Sequence, residues 1–450
     1  MGKHILALVA ACNLAALVPG AAAEVAGDLV QKPAQKRTLW PSQKQTAPQG
    51  VPGWAAFAEE LRMLDTEVLA KLPENVRNDP QARQEAGRLL LEALAARTLD
   101  VLGSDGDHPA FVPWIGATLN VLQPNADTIY RKAVITPGGS YRIRGERGSL
   151  RIAKIGQSYT MPEETGKANP GIGILTYHDI NALRVDEQGR FDVILSPQRP
   201  EGYGGDWWEL KPRTHALLLR LVAFDWAHER DPKISIERLD LPVRRTRPAA
   251  AELEKRLRGL AAGTRNTALV LVDHVGQLRK DGAVNKLQEW NVGGVPLSKV
   301  GGLVGQFYYE GAYEIAADEA LLLEVKLPEK CHYWSVILTN DVYETTDWYN
   351  SHSSLNGAQA RLDGDGMFRA VISDRDPGVP NWLDTASYLT GAVQGRWTDC
   401  SGEPVLPTLR KVMLTDVRRE LPAGTPYVSP QEREQAVRER RAQLQWRPQW

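Results

Sequence analysis

The sequence is poor in several things at once. Its 450 residues include 3 Cys, 5 Met, 6 Phe and 8 His, and 54 Lys plus Arg against 55 Asp plus Glu leave a formal net charge of -1. A balance this even excludes the basic footprint of a nucleic-acid binder. So few cysteines exclude a disulfide-stapled scaffold, and no Cys-x-x-Cys pair is present to hold zinc. After the first twenty residues no apolar run is long enough to cross a bilayer. No alternation of strands with helices appears, which disfavours a Rossmann-type fold. Gly-x-Ser-x-Gly, a Walker loop and His-Glu-x-x-His are all missing. The histidines His108, His178, His215, His228, His274, His332 and His352 stand isolated. A metal site would have to be assembled across the fold, and neither a metal nor a cofactor is expected.

Apolar residues make up 42% and charged residues 24%, enough to bury a core in one large domain or two ordinary ones. Trp and Tyr number 13 each. Both join an apolar body to a polar edge, which suits half-exposed positions and ligand platforms better than dry cores. The N-terminus reads as an export signal: Lys3, an apolar stretch from Ile5 to Val18, Pro19-Gly20, then Ala21-Ala22-Ala23 before Glu24. Val9-Ala10-Ala11-Cys12 also resembles a lipoprotein box with Cys12 lipidated, but its apolar run is short, so cleavage after Ala23 is preferred. The expected location is periplasmic or secreted. Cys331 and Cys400 would then form a disulfide or stay as two buried thiols, and the sequence favours neither.

Residues 24–52, rich in Gln, Pro, Lys and Ala, read as a flexible linker. Trp54, Phe57, Leu61, Leu64, Val68 and Leu72 fall on one helical face. Asp79 and Pro80 open a second helix running to Gly103. From about 111 the texture becomes short strands. Tyr141–Gly145 and Ser149–Lys154 alternate around Glu146-Arg147-Gly148 as a hairpin. Residues 248–262 return to helix, 286–305 form a Gly-rich crossing, and strands resume at 321–327, 333–339, 367–373 and 411–417. The tail from Ser429, dense in Arg and Glu, reads as a solvated helix. The expected fold is mainly β: antiparallel jelly-roll-like sandwiches with an N-terminal helical segment and an inserted helix. The expected divisions are a signal peptide (1–23), the linker (24–52), helices plus a β domain (53–247), the helical insertion and crossing (248–305), a second sandwich (306–428) and the tail (429–450).

Tyr333-Trp334-Ser335-Val336, Ser354-Leu355-Asn356-Gly357, the run Asp376–Thr385 and Arg396-Trp397 together resemble the bacterial domain of unknown function 1214. Upstream, Pro124-Asn125-Ala126-Asp127-Thr128-Ile129-Tyr130 resembles its frequent partner, domain of unknown function 1254. The resemblance implies all-β, jelly-roll-like cores with added helices and no agreed reaction. The common C-terminal motif continues Asp-Thr-Ala-Gly-His, whereas here it is Asp384-Thr385-Ala386-Ser387-Tyr388, so no role for a histidine at that point carries over.

Five groups of residues could hold chemistry. Asp127, with Asn125 and Tyr130, is a carboxylate at a strand mouth that could act as a base or only make a turn. Asp384 and Asn381 flank Trp382 as polar anchors around a stacking face, or else as a local cap and a core plug. Arg396 could clamp a carboxylate beside Trp397, or make a structural ion pair. His352 lies in a polar loop suited to proton transfer or merely solvated. Asp206-Trp207-Trp208-Glu209 is an aromatic loop in which only one indole can face a ligand. The expected activity is binding, with hydrolysis by an Asp127/Asp384 pair as its catalytic form, of a small polyhydroxylated or carboxylated molecule in an aromatic and polar cleft. The alternative is a non-catalytic envelope module in which the same motifs cap turns.

Overall fold

The protein is described by a computed structural model covering residues 50–448 apart from 104, 161–171 and 293–294. The export signal, the Cys12 box and nearly all of the 24–52 linker lie outside the described residues.

Nine strands build the first sandwich: β1 (Val112–Pro113), β2 (Thr128–Val134), β3 (Tyr141–Glu146), β4 (Ile152–Thr160), β5 (Ile172–Asp179), β6 (Arg190–Ser196), β7 (Asp206–Glu209), β8 (Ala216–Val222) and β9 (Lys233–Arg238). One sheet runs β1-β2-β8-β4-β5 and the other β7-β6-β3-β9. The second sandwich follows: β10 (Gln288–Glu289), a two-stranded ribbon of β11 (Asn291–Val292) and β12 (Val295–Pro296), then β13 (Gln306–Glu314), β14 (Glu319–Lys326), β15 (Cys331–Thr339), β16 (Ser354–Asn356), β17 (Met367–Ser373), β18 (Trp382–Asp384), β19 (Thr390–Cys400) and β20 (Thr408–Met413). Its sheets run β10-β13-β19-β15-β16 and β18-β17-β14-β20. The two strand orders are the same order written twice. Even the single parallel edge pair recurs, β6 with β7 and β17 with β18. The fold is thus mainly antiparallel β, in jelly-roll-like sandwiches whose successive strands switch sheets.

Alternation along the strands builds each core. In β8, Leu217, Leu219 and Leu221 face the first core with Tyr141, Ile143, Ile155 and Val193. In β19, Val393 and Trp397 face the second, among Leu323, Val336, Phe368 and Leu383. Residues between them, Leu218 and Arg220 on β8 and Gln394 and Arg396 on β19, point the other way.

The expected hairpin does not form. β3 pairs with β6 and β9, while β4 pairs with β5 and β8 in the opposite sheet. The connector leaves β3 and passes close to another segment: a Cβ on Gly148 would stand 2.0 Å from the Arg230 carbonyl oxygen. Alternation marks a strand but does not name its partner.

The helices frame the sheets. The expected first helical face divides into α1 (Trp54–Leu61) and α2 (Leu64–Lys71), followed by α3 (Glu74–Arg77). α4 (Pro80–Gly103) starts where Asp79 accepts the Gln81 amide at 3.1 Å. Its Ala86, Leu89 and Ala93 pack with Val68, Trp114 and Leu218 over the first five-stranded sheet. α5 (Ala250–Leu269) lays Leu260 and Ala261 against Phe57 of α1, and α6 (His274–Lys280) and the short α7 (Leu297–Val300) bring the chain to β13. The Gly-rich crossing is therefore only partly loop. After α8 (Val417–Glu420) comes α9 (Pro430–Trp446), opened by a capping box between Ser429 and Glu432.

That last helix is not solvated all round. Arg433 binds Asp376 at 2.9 Å and the Val379 carbonyl in the second sandwich. Arg440 donates to the Trp348 carbonyl at 2.8 Å and to Ser354. Just beyond the helix, Arg447 pairs with Asp231 at 2.7 Å and donates to the Asp127 carbonyl at 2.7 Å, both in the first sandwich. All three arginines are buried.

Candidate functional site

A cavity of about 580 Å³ lies where the two five-stranded sheets meet. The first sandwich supplies Trp114, Asn125, Thr128, Tyr130 and Arg220, and the second Trp290, Gln306, Tyr308, Glu310 and Arg396. His274 of α6 and the Gly301–Leu303 turn complete the wall. The volume is that of a small-molecule site.

Two guanidiniums line it, with the carboxylates of Asp273, Asp281 and Glu310 elsewhere in the wall. Arg396 is 4% exposed and donates to Ser335 Oγ at 3.2 Å and to the Gln394 amide oxygen. Arg220 donates to the Tyr177 hydroxyl at 2.6 Å and to the Gly301 carbonyl at 2.8 Å. Each lies over a tyrosine ring, Arg220 6.0 Å from Tyr130 and Arg396 5.8 Å from Tyr308. Among the ion pairs of the described residues neither has a carboxylate partner, unlike Arg447 with Asp231 or Arg433 with Asp376. Interior cations held only by neutral oxygens and ring faces favour an anion arriving from outside the chain.

Further polar atoms stand ready in the same wall. Gln123 and Trp290 are each 5% exposed, yet among the described residues Gln123 Nε2 and Trp290 Nε1 have no hydrogen-bond partner, nor has the Arg220 Nε. Gln123 follows Leu122, and the two hold φ of 55° and 60°. Two successive left-handed residues store backbone strain in a loop that lines the cavity.

His274 Nε2 lies 2.9 Å from both oxygens of Glu310, and the Tyr343 hydroxyl donates to Glu310 at 2.9 Å. With the carboxylate fixed by two partners, the imidazole is held in an orientation suited to proton transfer. Behind Arg396 a chain of hydroxyls leads to Asp127. Ser335 Oγ is 2.8 Å from the Tyr333 hydroxyl, which donates to Asp127 at 2.6 Å and accepts from Asn125 at 2.8 Å. Asp127 also accepts from Trp226 Nε1 at 2.8 Å and Asn356 Nδ2 at 2.9 Å. Burial pushes its carboxyl above the ordinary value, against the pull of those three donors. Gly357 permits the same junction: a Cβ there would come within 2.7 Å of the Trp334 indole nitrogen and 2.9 Å of the Phe224 ring.

The structure divides the residues singled out in the sequence. Asn125, Tyr130 and Arg396 line the cavity, and Asp127 stands behind its wall. The others gather elsewhere in the second sandwich. Trp382 is 7% exposed, and its indole donates to the Ser373 carbonyl at 3.1 Å. The Asn381 side chain serves the backbone of Arg361 and Arg369. Asp384 accepts the Ala386 amide at 2.7 Å, a local cap; burial, with Asp374 and Asp376 nearby, raises its carboxyl to about 6. His352 donates to the Trp382 carbonyl at 2.6 Å, and burial together with Arg440 and Arg433 lowers its imidazole to about 3. It is not a solvated loop residue. Asp127 and Asp384 share no cleft, and neither Asp384 nor His352 belongs to the cavity wall. Trp397 is separated from Arg396 by strand alternation: it faces the core 5.6 Å from Tyr309, with its indole on the Val405 carbonyl at 2.9 Å. In the 206–209 run, which is strand β7, Trp208 stacks on His178 at 4.5 Å while Trp207 turns to Ser196 at 3.0 Å.

Arg220, His274, Trp290, Tyr308 and Glu310 were not among the sequence candidates. One signal was present: Arg220 is the lone charge in Ala216-Leu-Leu-Leu-Arg-Leu-Val222, where a buried charge is costly without a purpose. Among the described residues no three His, Cys, Asp or Glu side chains group as metal ligands, and no helix is long and apolar enough to cross a membrane. Cys331 and Cys400 face each other on β15 and β19 and are joined as a disulfide.

Residues 314–392 match the model of a family described as a protein of unknown function, DUF1214, which bears out that resemblance over this span. No functionally curated protein matches the chain. Among solved structures, an uncharacterized protein from Burkholderia cenocepacia is 27% identical with a TM-score of 0.72, over 81% of this chain and 97% of that one. A protein from Vibrio parahaemolyticus aligns at 12% identity and a TM-score of 0.43, over 79% of this chain and 99% of that one.

Proposed function

We propose that the chain binds a small carboxylated, hydroxylated molecule of the sugar-acid class in the cavity between its sandwiches. The observation that carries this reading is the pair Arg220 and Arg396, two guanidiniums in an aromatic wall without a carboxylate partner among the described residues. Tyrosine and tryptophan faces suit the ring or chain of such a ligand, and Asn125, Thr128 and Gln306 suit its hydroxyls. The N-terminal Lys3–Ala23 pattern and the Cys331–Cys400 link support a periplasmic or secreted location.

Thermal-shift titration tests the binding. Uronic and aldonic acids are expected to raise Tm with concentration, as ligands that bind only the native state do. The matching neutral sugars should not, and Arg396→Gln should remove the response. Equal shifts from acids and neutral sugars would end the anion reading.

A second reading, hydrolysis of the bound molecule, is favoured by one contact, His274 held 2.9 Å from Glu310 in the cavity wall. His274 would act as general base on water, with Glu310 fixing the ring and stabilising its charge.

A further inference from the structure

The two sandwiches repeat each other at the cavity as well as in strand order. In the first, Tyr130 of β2 is registered against Arg220 of β8; in the second, Tyr308 of β13 is registered against Arg396 of β19. These strands hold the same places in the two sheets. Each repeat's short edge strand is followed by a tryptophan whose backbone N–H donates to the carbonyl of that tyrosine: Trp114 to Tyr130 at 3.2 Å, Trp290 to Tyr308 at 2.9 Å. The rings meet edge-on in both, at 6.4 Å and 73° and at 5.9 Å and 87°. All six residues line the one cavity. The site is two copies of a Trp–Tyr–Arg unit, one from each sandwich.

We infer that the ligand is a dianion, an α,ω-dicarboxylate whose two ends are received by Arg220 and Arg396. This rests on the anion-binding reading above and narrows it. A monoanion would neutralise one guanidinium and leave the other in the interior with only neutral partners, which is the costly arrangement. A dianion matches both stations, and each carboxylate fits a guanidinium fork. The repeat departs from itself one step along the strand. Two residues past each tyrosine stand Lys132, paired with Asp100 of α4 at 2.9 Å, and Glu310, paired with His274 of α6. The charges are reversed, and only the Glu310 pair reaches the cavity wall. The Arg396 end therefore differs chemically from the Arg220 end.

Calorimetric titration of the folded chain tests this, using galactarate and unsubstituted dicarboxylates of four to eight carbons against their monomethyl esters. At least one dianion is expected to bind about tenfold or more tightly than its monoester. Arg220→Gln and Arg396→Gln should each bring that dianion down to the monoester's affinity. Arg220→Lys and Arg396→Lys, with near-UV circular dichroism as the folding control, are expected to fall between and guard against loss of structure. Equal binding of dianion and monoester would overturn the two-ended ligand and leave the anion site standing. Binding of neither would overturn both.

Discussion

Ser387 has φ of 70° and follows Ala386 at 51°. A side chain in the left-handed region costs on the order of 1–2 kcal/mol, which glycine escapes. The motif that this segment resembles has glycine at that position, and the backbone here keeps the shape glycine would favour. Ser387→Gly is expected to stabilise the protein by about 0.5–1 kcal/mol in urea unfolding, part of the relief being offset by the freer unfolded chain. An unchanged or lower midpoint would show that the serine carries a compensating contact. Single residues were the most legible level of this sequence. Asn125, Tyr130 and Arg396 stood out by type and neighbours, and all three line the cavity. Trp397 misled because adjacency in sequence was read as adjacency in space, whereas neighbouring strand residues face opposite ways. His352 misled because its Ser-rich surroundings look like a solvent loop; α9 covers that loop, with Arg440 bonded to Ser354.

Helix α9 shows the same limit for whole elements. Its existence and its start were legible from Ser429, Pro430 and Glu432. Its partners were not, because the dense Arg and Glu content hides a period: Arg433 and Arg440 stand seven residues apart on one side of the helix, and Arg447 follows seven further on, just past its end. Arg447 and Asp231 are both buried, and removing one member of such a pair strands the other charge. Arg447→Met is expected to cost about 3–5 kcal/mol in chemical denaturation. Adding Asp231→Asn should recover part of that loss, since the stranded carboxylate is gone. A cost under about 1 kcal/mol would mean the pair behaves as an exposed surface bridge. The β3–β4 link failed differently: the strands were recognised, but the pairing is set by distant segments that alternation does not encode.

At the scale of the molecule, the sandwich class could be read from short strands and turn spacing, but the repeat could not. The cavity wall uses β13 and β19, whose extents the alternation does not mark. Gly311, Gly391 and Gly395 interrupt their patterns, and a Cβ on Gly395 would stand 2.0 Å from the Tyr309 ring. Such glycines serve close packing between elements, so their reason lies outside the local sequence. The seam between α4 and the second sandwich also makes stability depend on pH. Burial, with Glu344 beside it, raises Glu92 to about 7, against the usual 4.5. The unfolded chain releases that proton near pH 4.5 while the fold holds it to about 7, so rising pH through this window destabilises the native state. Glu92→Gln, which still accepts from the Asn120 amide but cannot ionise, is expected to match the parent Tm at pH 4 and exceed it at pH 8. A constant difference across that range would contradict the raised value.

The order of synthesis gives the α9 tie a meaning in time. Residues 430–447 follow both sandwiches along the chain, so both are made before this segment exists. Arg433 grips the second sandwich and Arg447 the first, so this later segment adds a strap to the bonds the sandwiches already share through Asp127, Tyr333 and Asn356. A ribosome paused before that point would hold both sandwiches, and every residue of the cavity wall, without that strap.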